Sequence, residues 1–355
     1  MEKAVYRILD ANFNRAREAL RGMEEYCRFV LNNSTLSGRV KALRHALCQT
    51  VAQLEQGKLL CSRDSQHDVG QALRFEGQMK RVTLEDCFVA SAKRITEALR
   101  AMAEVGQTIS PSLYDAFEKL RFEAYTLEKD IYITGFGYLR MKKVRLYVLL
   151  TVKTEQDRLA LPELTKGCIA GGADCLQLRC KGLPDREVLN LSETFADLCR
   201  QGEVISIIND SPDVAILSGA DGVHLGQDDL PVDKIRLLQP RPLIAGMSTH
   251  NVDQLRQSLV QPCDYVALGP VFATQTKSHE PAAGLSYLIQ AMDILKQSSM
   301  SHVAIGGITL DNVHQVLEQG VYCIAVCGAI CSADSPEKAC RDFKRILDSF
   351  VLDCN

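Results

Sequence analysis

From Arg145 onward the chain repeats one pattern eight times: a short apolar run, a turn, then in most repeats a helical stretch. The runs are Leu146–Val152, Cys175–Cys180, Ser206–Ile208, Gly222–Leu225, Leu243–Met247, Tyr265–Leu268, His302–Ile305 and Cys323–Val326. Apolar runs of this length, bounded by turn signals, read as strands buried on both faces. Helical stretches between them include Arg186–Arg200, Asp213–Leu217, Leu285–Lys296 and Asp311–Gln319, with Pro336–Ser349 closing the series. Units of this kind predict an α/β fold, a (β/α)8 TIM barrel at the compact end of its size range. A doubly wound open sheet is the alternative. It normally shows a glycine-rich fingerprint after its first strand, and Thr151–Gln156 contains no glycine.

The barrel rule places chemistry just after the strands, at their C-terminal ends, and polar residues cluster there. Gln177, Arg179 and Lys181 alternate along and out of the second run, so all three are predicted to face the barrel mouth. Asn209 and Asp210 end the third run, Gln227, Asp228 and Asp229 follow the fourth, and Ser248 ends the fifth. Gly269–Lys277 follows the sixth and Gly306-Gly307 the seventh. Arg179, Lys181 and Lys277 supply positive charge for phosphate oxygens. Asp210 and Asp229, expected on one rim, would repel phosphate unless a cation lay between them, which points to Mg²⁺. Gly306-Gly307 and the Cys327-Gly328 turn, expected to open the last helix, expose backbone N–H groups where barrels hold a monophosphate. His224 is read as an inward hydrogen-bonding residue rather than a base, and His250 and His279 as rim-loop residues.

Residues Met1 to about Ile133 carry a helical period instead. Phe13, Ala16, Leu20, Met23, Cys27 and Val30 make one apolar stripe, ended by Asn32-Asn33-Ser34. Further helices are predicted over Ser37–Lys58, Thr83–Gln107 and Ser112–Ile131, with Cys61–Lys80 as a connection. The segments Glu18–Glu25 and Glu97–Glu104 agree at six of eight positions, which suggests a duplicated helical hairpin. Arg15, Arg17, Arg21, Arg28, Arg94 and Arg100 read as a solvated face interleaved with glutamates, or alternatively as an anion cradle. The expected organisation is an all-α domain over 1–133, a linker over 134–144 broken by Gly135 and Gly137, and the barrel over 145–355.

A net charge of −3 leaves no basic excess for nucleic acid. No apolar run is long enough to span a membrane and no signal segment precedes the first helix, so a cytoplasmic protein is expected. The fourteen cysteines are scattered, which fits buried thiols in a reducing compartment. Cys323, Cys327 and Cys331 recur every four residues, but no fourth ligand completes a zinc set.

The series Gln177–Lys181, Ile208–Asp210, Gly222–Asp229, Gly246–His250, Gly269–Lys277 and Ile305–Ile308 resembles the motif series of the thiamine-phosphate synthase family, in unbroken order over about Arg145–Ser349. The resemblance implies a transferase that joins a pyrimidine methyl diphosphate to a thiazole phosphate and releases diphosphate. It implies that Gln177, Arg179, Lys181 and Asn209 hold the pyrimidine diphosphate, with Leu178 and Cys180 in the same segment. It implies Asp210 and Asp229 on Mg²⁺, Ser248 and Lys277 on the pyrimidine substrate, and Lys277 on the departing diphosphate. Thr274 and Thr276, with Gln275 between them, would grip the thiazole phosphate, helped by the Gly307 amide. Cys327-Gly328 stands where the family commonly has an aliphatic residue and Ser, which implies one hydroxyl contact fewer. The partners implied are small-molecule substrates, with a homo-oligomer possible. A thiazole tautomerase or a ligand-sensing barrel are the other readings, and neither needs both the acid pair and the cationic clamp.

Overall fold

The computed structural model describes residues 1–69, 81–238, 242–274 and 282–350. They divide into two compact units, Met1–Ile133 and Thr134–Asn355.

The first unit is helical. α1 (Glu2–Glu25) runs into a π-helical turn at Tyr26–Val30, followed by α2 (Ser34–Ala52), α3 (Gln56–Ser62), α4 (Leu84–Gly106) and α5 (Pro111–Met141). Ala16, Leu20, Met23 and Cys27 of the apolar stripe are buried, and α1 packs along α4 with Tyr26 stacked on Phe88. The predicted helix over Ser37–Lys58 is in fact two. The first helical run ends at Val30, before Asn32 with φ at 46°, and Asn33 also opens the next helix by accepting a hydrogen bond from Leu36 N. Thr83 and Asp86 form a reciprocal capping box at the start of α4. Arg21 pairs with Glu25 at 2.9 Å, and Arg100 pairs with Glu104 at the matching position of the sequence echo. These pairs follow the solvated-face reading of the arginines.

The second unit holds eight strands: β1 (Leu146–Val152), β2 (Cys175–Cys180), β3 (Ile205–Asn209), β4 (Gly222–Leu225), β5 (Ile244–Thr249), β6 (Tyr265–Leu268), β7 (Ser301–Ile305) and β8 (Ile324–Val326). Each pairs in parallel with the next and β8 returns to β1, so the sheet closes into a barrel and the open-sheet alternative falls. Helices α6 (Glu155–Ala170), α7 (Asp185–Gln201), α8 (Pro212–Leu217), α9 (Val232–Ile235), α10 (Val252–Ser258), α11 (Gly284–Leu295), α12 (Val313–Leu317), α13 (Gly328–Cys331) and α14 (Pro336–Ser349) lie between or after the strands. The Cys327-Gly328 turn therefore opens α13, a separate short helix, rather than the last one.

Alternation along β1 sorts the core into two layers. Leu146, Val148, Leu150 and Val152 pack outward with Phe195 and Phe343 of the helices. Tyr147 and Leu149 point inward with Ile205, Ile207, Tyr265 and Val303. At the N-terminal rim, Asp174, Asp221 and Asp264 stand immediately before β2, β4 and β6. Each carboxylate accepts a backbone N–H from the preceding strand, of Leu146, Ser206 and Ala245 respectively. Each also meets a cation: Lys344 at 2.9 Å, Arg140 at 2.5 Å and Arg236 at 2.7 Å. Burial raises the Asp264 carboxyl above its usual range, against the opposing pull of Arg236 and the Ala245 N–H.

The predicted linker is a correction: α5 continues through Gly135 and Gly137 to Met141. Two glycines in a helix cost about 1 kcal/mol each relative to alanine. Burial of Met141 at the base of the inner core and the Arg140–Asp221 pair favour the helix all the same. Gly137 is also needed for fit, because a methyl group there would lie 2.2 Å from the Asp264 carboxyl carbon.

Gly246 makes room for the inner tyrosine. A methyl group there would lie 2.1 Å from the Tyr265 ring, which is fully buried. Gly246→Ala is therefore expected to lower stability by about 1–3 kcal/mol through overpacking. A urea melt with unchanged slope and a shifted midpoint is the measurement, and an unshifted midpoint would contradict the packing account.

Candidate active site

A cavity of about 1020 Å³ opens at the C-terminal ends of the strands. The pleat brings Gln177 and Arg179 of β2 and Lys181 beyond it to the same wall, as the alternation predicts. Leu178 and Cys180 do not join them. Leu178 is buried in the outer layer and Cys180 packs against it, so of the segment implied for the pyrimidine diphosphate only the alternate side chains reach the cavity. Asn209, Asp210, Asp229, Ser248, Thr274 and Gly307 all line the cavity. Gln275, Thr276, Lys277 and His279 lie outside the described residues.

Asp210 follows β3 with φ at 64°, a left-handed conformation that Asp tolerates better than most residues. Its N–H donates to the His224 carbonyl at 2.8 Å, which fixes the turn against β4. Lys181 Nζ meets Asp210 Oδ2 at 2.5 Å. Asp229 lies in the loop after β4, and its Oδ2 accepts from Gly226 N at 2.6 Å. Burial holds the Asp229 carboxyl above the usual carboxylate range. The negative charge of Asp210 and a hydrogen bond between the two carboxyls push the same way, and Gly226 N–H and Lys181 oppose them.

Two carboxylates set this close repel one another unless a proton or a cation lies between them. Among the described residues no cluster of three or more His, Cys, Asp or Glu could hold a metal. A two-carboxylate set suits Mg²⁺, which prefers oxygen ligands and leaves its remaining positions to water and substrate phosphate. The donor chemistry therefore fits that ion. The three regularly spaced cysteines form no such cluster. Cys331 Sγ donates to Leu149 O, and Cys327 Sγ lies 3.9 Å from Thr151 Oγ1.

The opposite wall is built from backbone. Gly306 and Gly307 both take positive φ, at 107° and 62°. Phe272 N donates to Gly306 O, and Asn312 Nδ2 donates to Gly307 O at 2.9 Å. The first bond ties the loops after β6 and β7 together and the second braces the β7 loop, beside Cys327 and Gly328. His250, read as a rim-loop residue, has its Nδ1 2.6 Å from the Gly269 carbonyl.

The floor was only partly read from sequence. His224 is the inward hydrogen-bonding residue expected, with Nδ1 at 2.9 Å from Tyr265 Oη and Nε2 at 2.9 Å from Ser248 Oγ. Tyr147, Tyr265 and Lys153 also line the cavity and were not singled out. The two tyrosines sit inside apolar runs, where only their inward register marks them as more than packing.

Comparison with known proteins agrees with this geometry. The family described as Thiamine monophosphate synthase matches residues 147–330, and the one described as ThiD2 family matches residues 7–130. The thiamine-phosphate synthase of Rhodopirellula baltica is 33% identical over 358 residues, covering 99% of this chain and 94% of that relative. That of Nostoc sp. is 37% identical over 337 residues, covering 95% and 92%. The helical unit thus lies outside the matched synthase domain but within the aligned length of these relatives. Among solved structures, thiamine phosphate pyrophosphorylase from Pyrococcus furiosus is 32% identical with a TM-score of 0.53, covering 60% of this chain and 100% of that one. An acid pair beside a cationic wall, facing a glycine-lined wall on a closed barrel, and relatives aligned along nearly the whole length place this chain in the thiamine-phosphate synthase family of transferases.

Proposed function

We propose that the chain joins a pyrimidine methyl diphosphate to a thiazole phosphate, forming thiamine phosphate and diphosphate. The observation that carries this reading is the Asp210–Asp229 pair beside Arg179 and Lys181 on one cavity wall, across from Gly306-Gly307. Gln177, Arg179, Lys181 and Asn209 hold the pyrimidine diphosphate, and Ser248 meets the pyrimidine. Thr274, Thr276 and the Gly307 amide hold the thiazole phosphate, with Lys277 on the leaving group. Asp210 and Asp229 would hold Mg²⁺, which when bound would offset negative charge on the departing diphosphate. The C–O bond to the methylene breaks and its electron pair leaves with the diphosphate oxygen. The thiazole nitrogen lone pair then forms the new C–N bond, and no general base is required. Arg179 and Lys181 stabilise charge as it develops, and the two walls align the reacting atoms. A tautomerase would leave both the acid pair and the cationic wall without a ligand.

Residues 1–133 are proposed as a separate helical domain, consistent with the family match over 7–130. No described helix is long and apolar enough to cross a membrane. A cytoplasmic location and a homo-oligomer complete the proposal, and light scattering on the full chain measures the second.

Asp210→Asn keeps a side chain that tolerates positive φ but removes one charge. Turnover of the two purified substrates should fall about a hundredfold or more, the scale of losing a preorganised charge contact. The urea midpoint should stay near wild type, and Mg²⁺ chelation should abolish wild-type turnover until the ion is returned. Near-normal activity in either case would remove the metal argument.

Asp229→Asn carries a signed stability expectation. The folded-state carboxyl titrates above its unfolded value, so its ionisation opposes folding at neutral pH. The substitution should raise the melting temperature of metal-free protein at pH 7 while turnover is lost. That gain should fade as pH drops from the raised folded-state value toward the usual 3.8, below which both states are protonated. A lowered melting temperature at pH 7 would show that the carboxylate stabilises the fold instead.

A further inference from the structure

Beneath the cavity, five side chains from five strands form one continuous hydrogen-bonded row. Gln177 Nε2 donates to Tyr147 Oη at 2.8 Å, and Tyr147 Oη lies 3.0 Å from Tyr265 Oη. Tyr265 Oη lies 2.9 Å from His224 Nδ1, and His224 Nε2 lies 2.9 Å from Ser248 Oγ. Gln177, Tyr147, Tyr265 and His224 are 2%, 2%, 0% and 8% exposed, so water contributes little to their bonding. The His224 and Tyr265 rings stack with centroids 5.5 Å apart, which holds the imidazole in the plane the row requires.

The row has a direction. An amide nitrogen carries hydrogens and cannot accept, so Tyr147 Oη accepts from Gln177 and its own hydrogen is left to donate to Tyr265. Tyr265, having accepted, uses its hydrogen on His224 Nδ1. A neutral imidazole that accepts at Nδ1 carries its proton on Nε2, and it donates that proton to Ser248 Oγ. The Ser248 hydroxyl is then occupied from below as an acceptor, and its hydrogen is left for the cavity. Buried rows of this kind are worth most when every member is satisfied, because an unpartnered polar atom there is costly.

We propose that Tyr147, Tyr265 and His224 are positioning residues that act through Ser248, a one-way relay anchored at Gln177 fixing the Ser248 hydroxyl as a hydrogen-bond donor into the cavity. The proposal rests on the site reading above, in which Ser248 meets the pyrimidine. It adds a specificity expectation: the Ser248 hydrogen favours a substrate edge that presents an acceptor there, such as an unprotonated ring nitrogen.

Two measurements on the full chain test it. In protein labelled with ¹⁵N-histidine, the ring nitrogens of His224, assigned by their loss in His224→Gln, should report the Nε2–H tautomer at neutral pH. The Nδ1–H tautomer would mean that the row runs the other way and would overturn the proposal. In kinetics, Tyr265→Phe should lower kcat/KM for the pyrimidine diphosphate about tenfold, the scale of one buried hydrogen bond, with KM for the thiazole phosphate unchanged. In a Ser248→Ala background the same substitution should have no further effect, since the relay then has nothing to orient. Losses that multiply in the double variant, or that fall equally on both substrates, would show a packing role and sink the relay. Should Tyr265→Phe fail to fold, Tyr147→Phe feeds the same row and is expected to show the same pattern. Wild-type protein that makes no thiamine phosphate would overturn the proposed function, and the tautomer measurement would then decide the relay alone.

Discussion

A closed parallel barrel gives each strand residue one of two destinations, the helix layer or the interior, and successive residues alternate between them. That constraint decides which side chains can meet a ligand. It sends Gln177 and Arg179 to the cavity and turns Leu178 and Cys180 toward the outer layer, although all four sit in one continuous segment. It also brings Tyr147 and Tyr265 from strands far apart in the chain to hydrogen-bonding distance across the interior. A one-residue slip in β1 would move Tyr147 into the helix layer and sever the row beneath Ser248.

The two rims of the barrel use the same residue for opposite ends. Asp174, Asp221 and Asp264 at the N-terminal rim each accept backbone N–H groups and meet a basic side chain, so their charge is spent on closing the sheet. Asp210 and Asp229 at the C-terminal rim are set against one another, with Lys181 as the nearby cation. Residue type cannot distinguish the two groups. Their partners do: acids with complete hydrogen bonding serve the fold, and acids in mutual conflict are disposed to take up a ligand.

The sequence made the strands legible because both faces of a parallel barrel are buried and the runs come out continuously apolar. Six of the eight strand-end clusters could be placed for the same reason, since polar residues at the end of such a run have little packing to do. The helical unit was harder. Asn32-Asn33-Ser34 does end the first helical run, but that Asn33 also caps α2 through one side-chain bond to Leu36 N was not legible. Gly135 and Gly137 read as a break because propensity speaks against a helix there. The contacts that overrule propensity, Met141 in the inner core and Arg140 on Asp221, come from residues remote in sequence. Tyr147, Tyr265 and the rim aspartates were missed on similar grounds. Their roles depend on cross-barrel neighbours, and local pattern gives no access to those.

The acid pair and the relay also illustrate how a site can be rigid and uncomfortable at once. Asp210 is held at positive φ by its N–H bond to the His224 carbonyl, so the same histidine that orients Ser248 through its ring supports the acid turn through its backbone. Strain and charge conflict of this kind persist only where the surrounding structure over-determines the geometry. Here the support comes from below, from a buried row of hydrogen bonds and a ring seated against Gly246. The rim differs from that floor, since the Lys181–Asp210 pair is partly open to solvent. The donor presented by Ser248 is then in place before substrate arrives, which is what preorganisation requires of a catalyst that works by orientation and charge rather than by covalent attack.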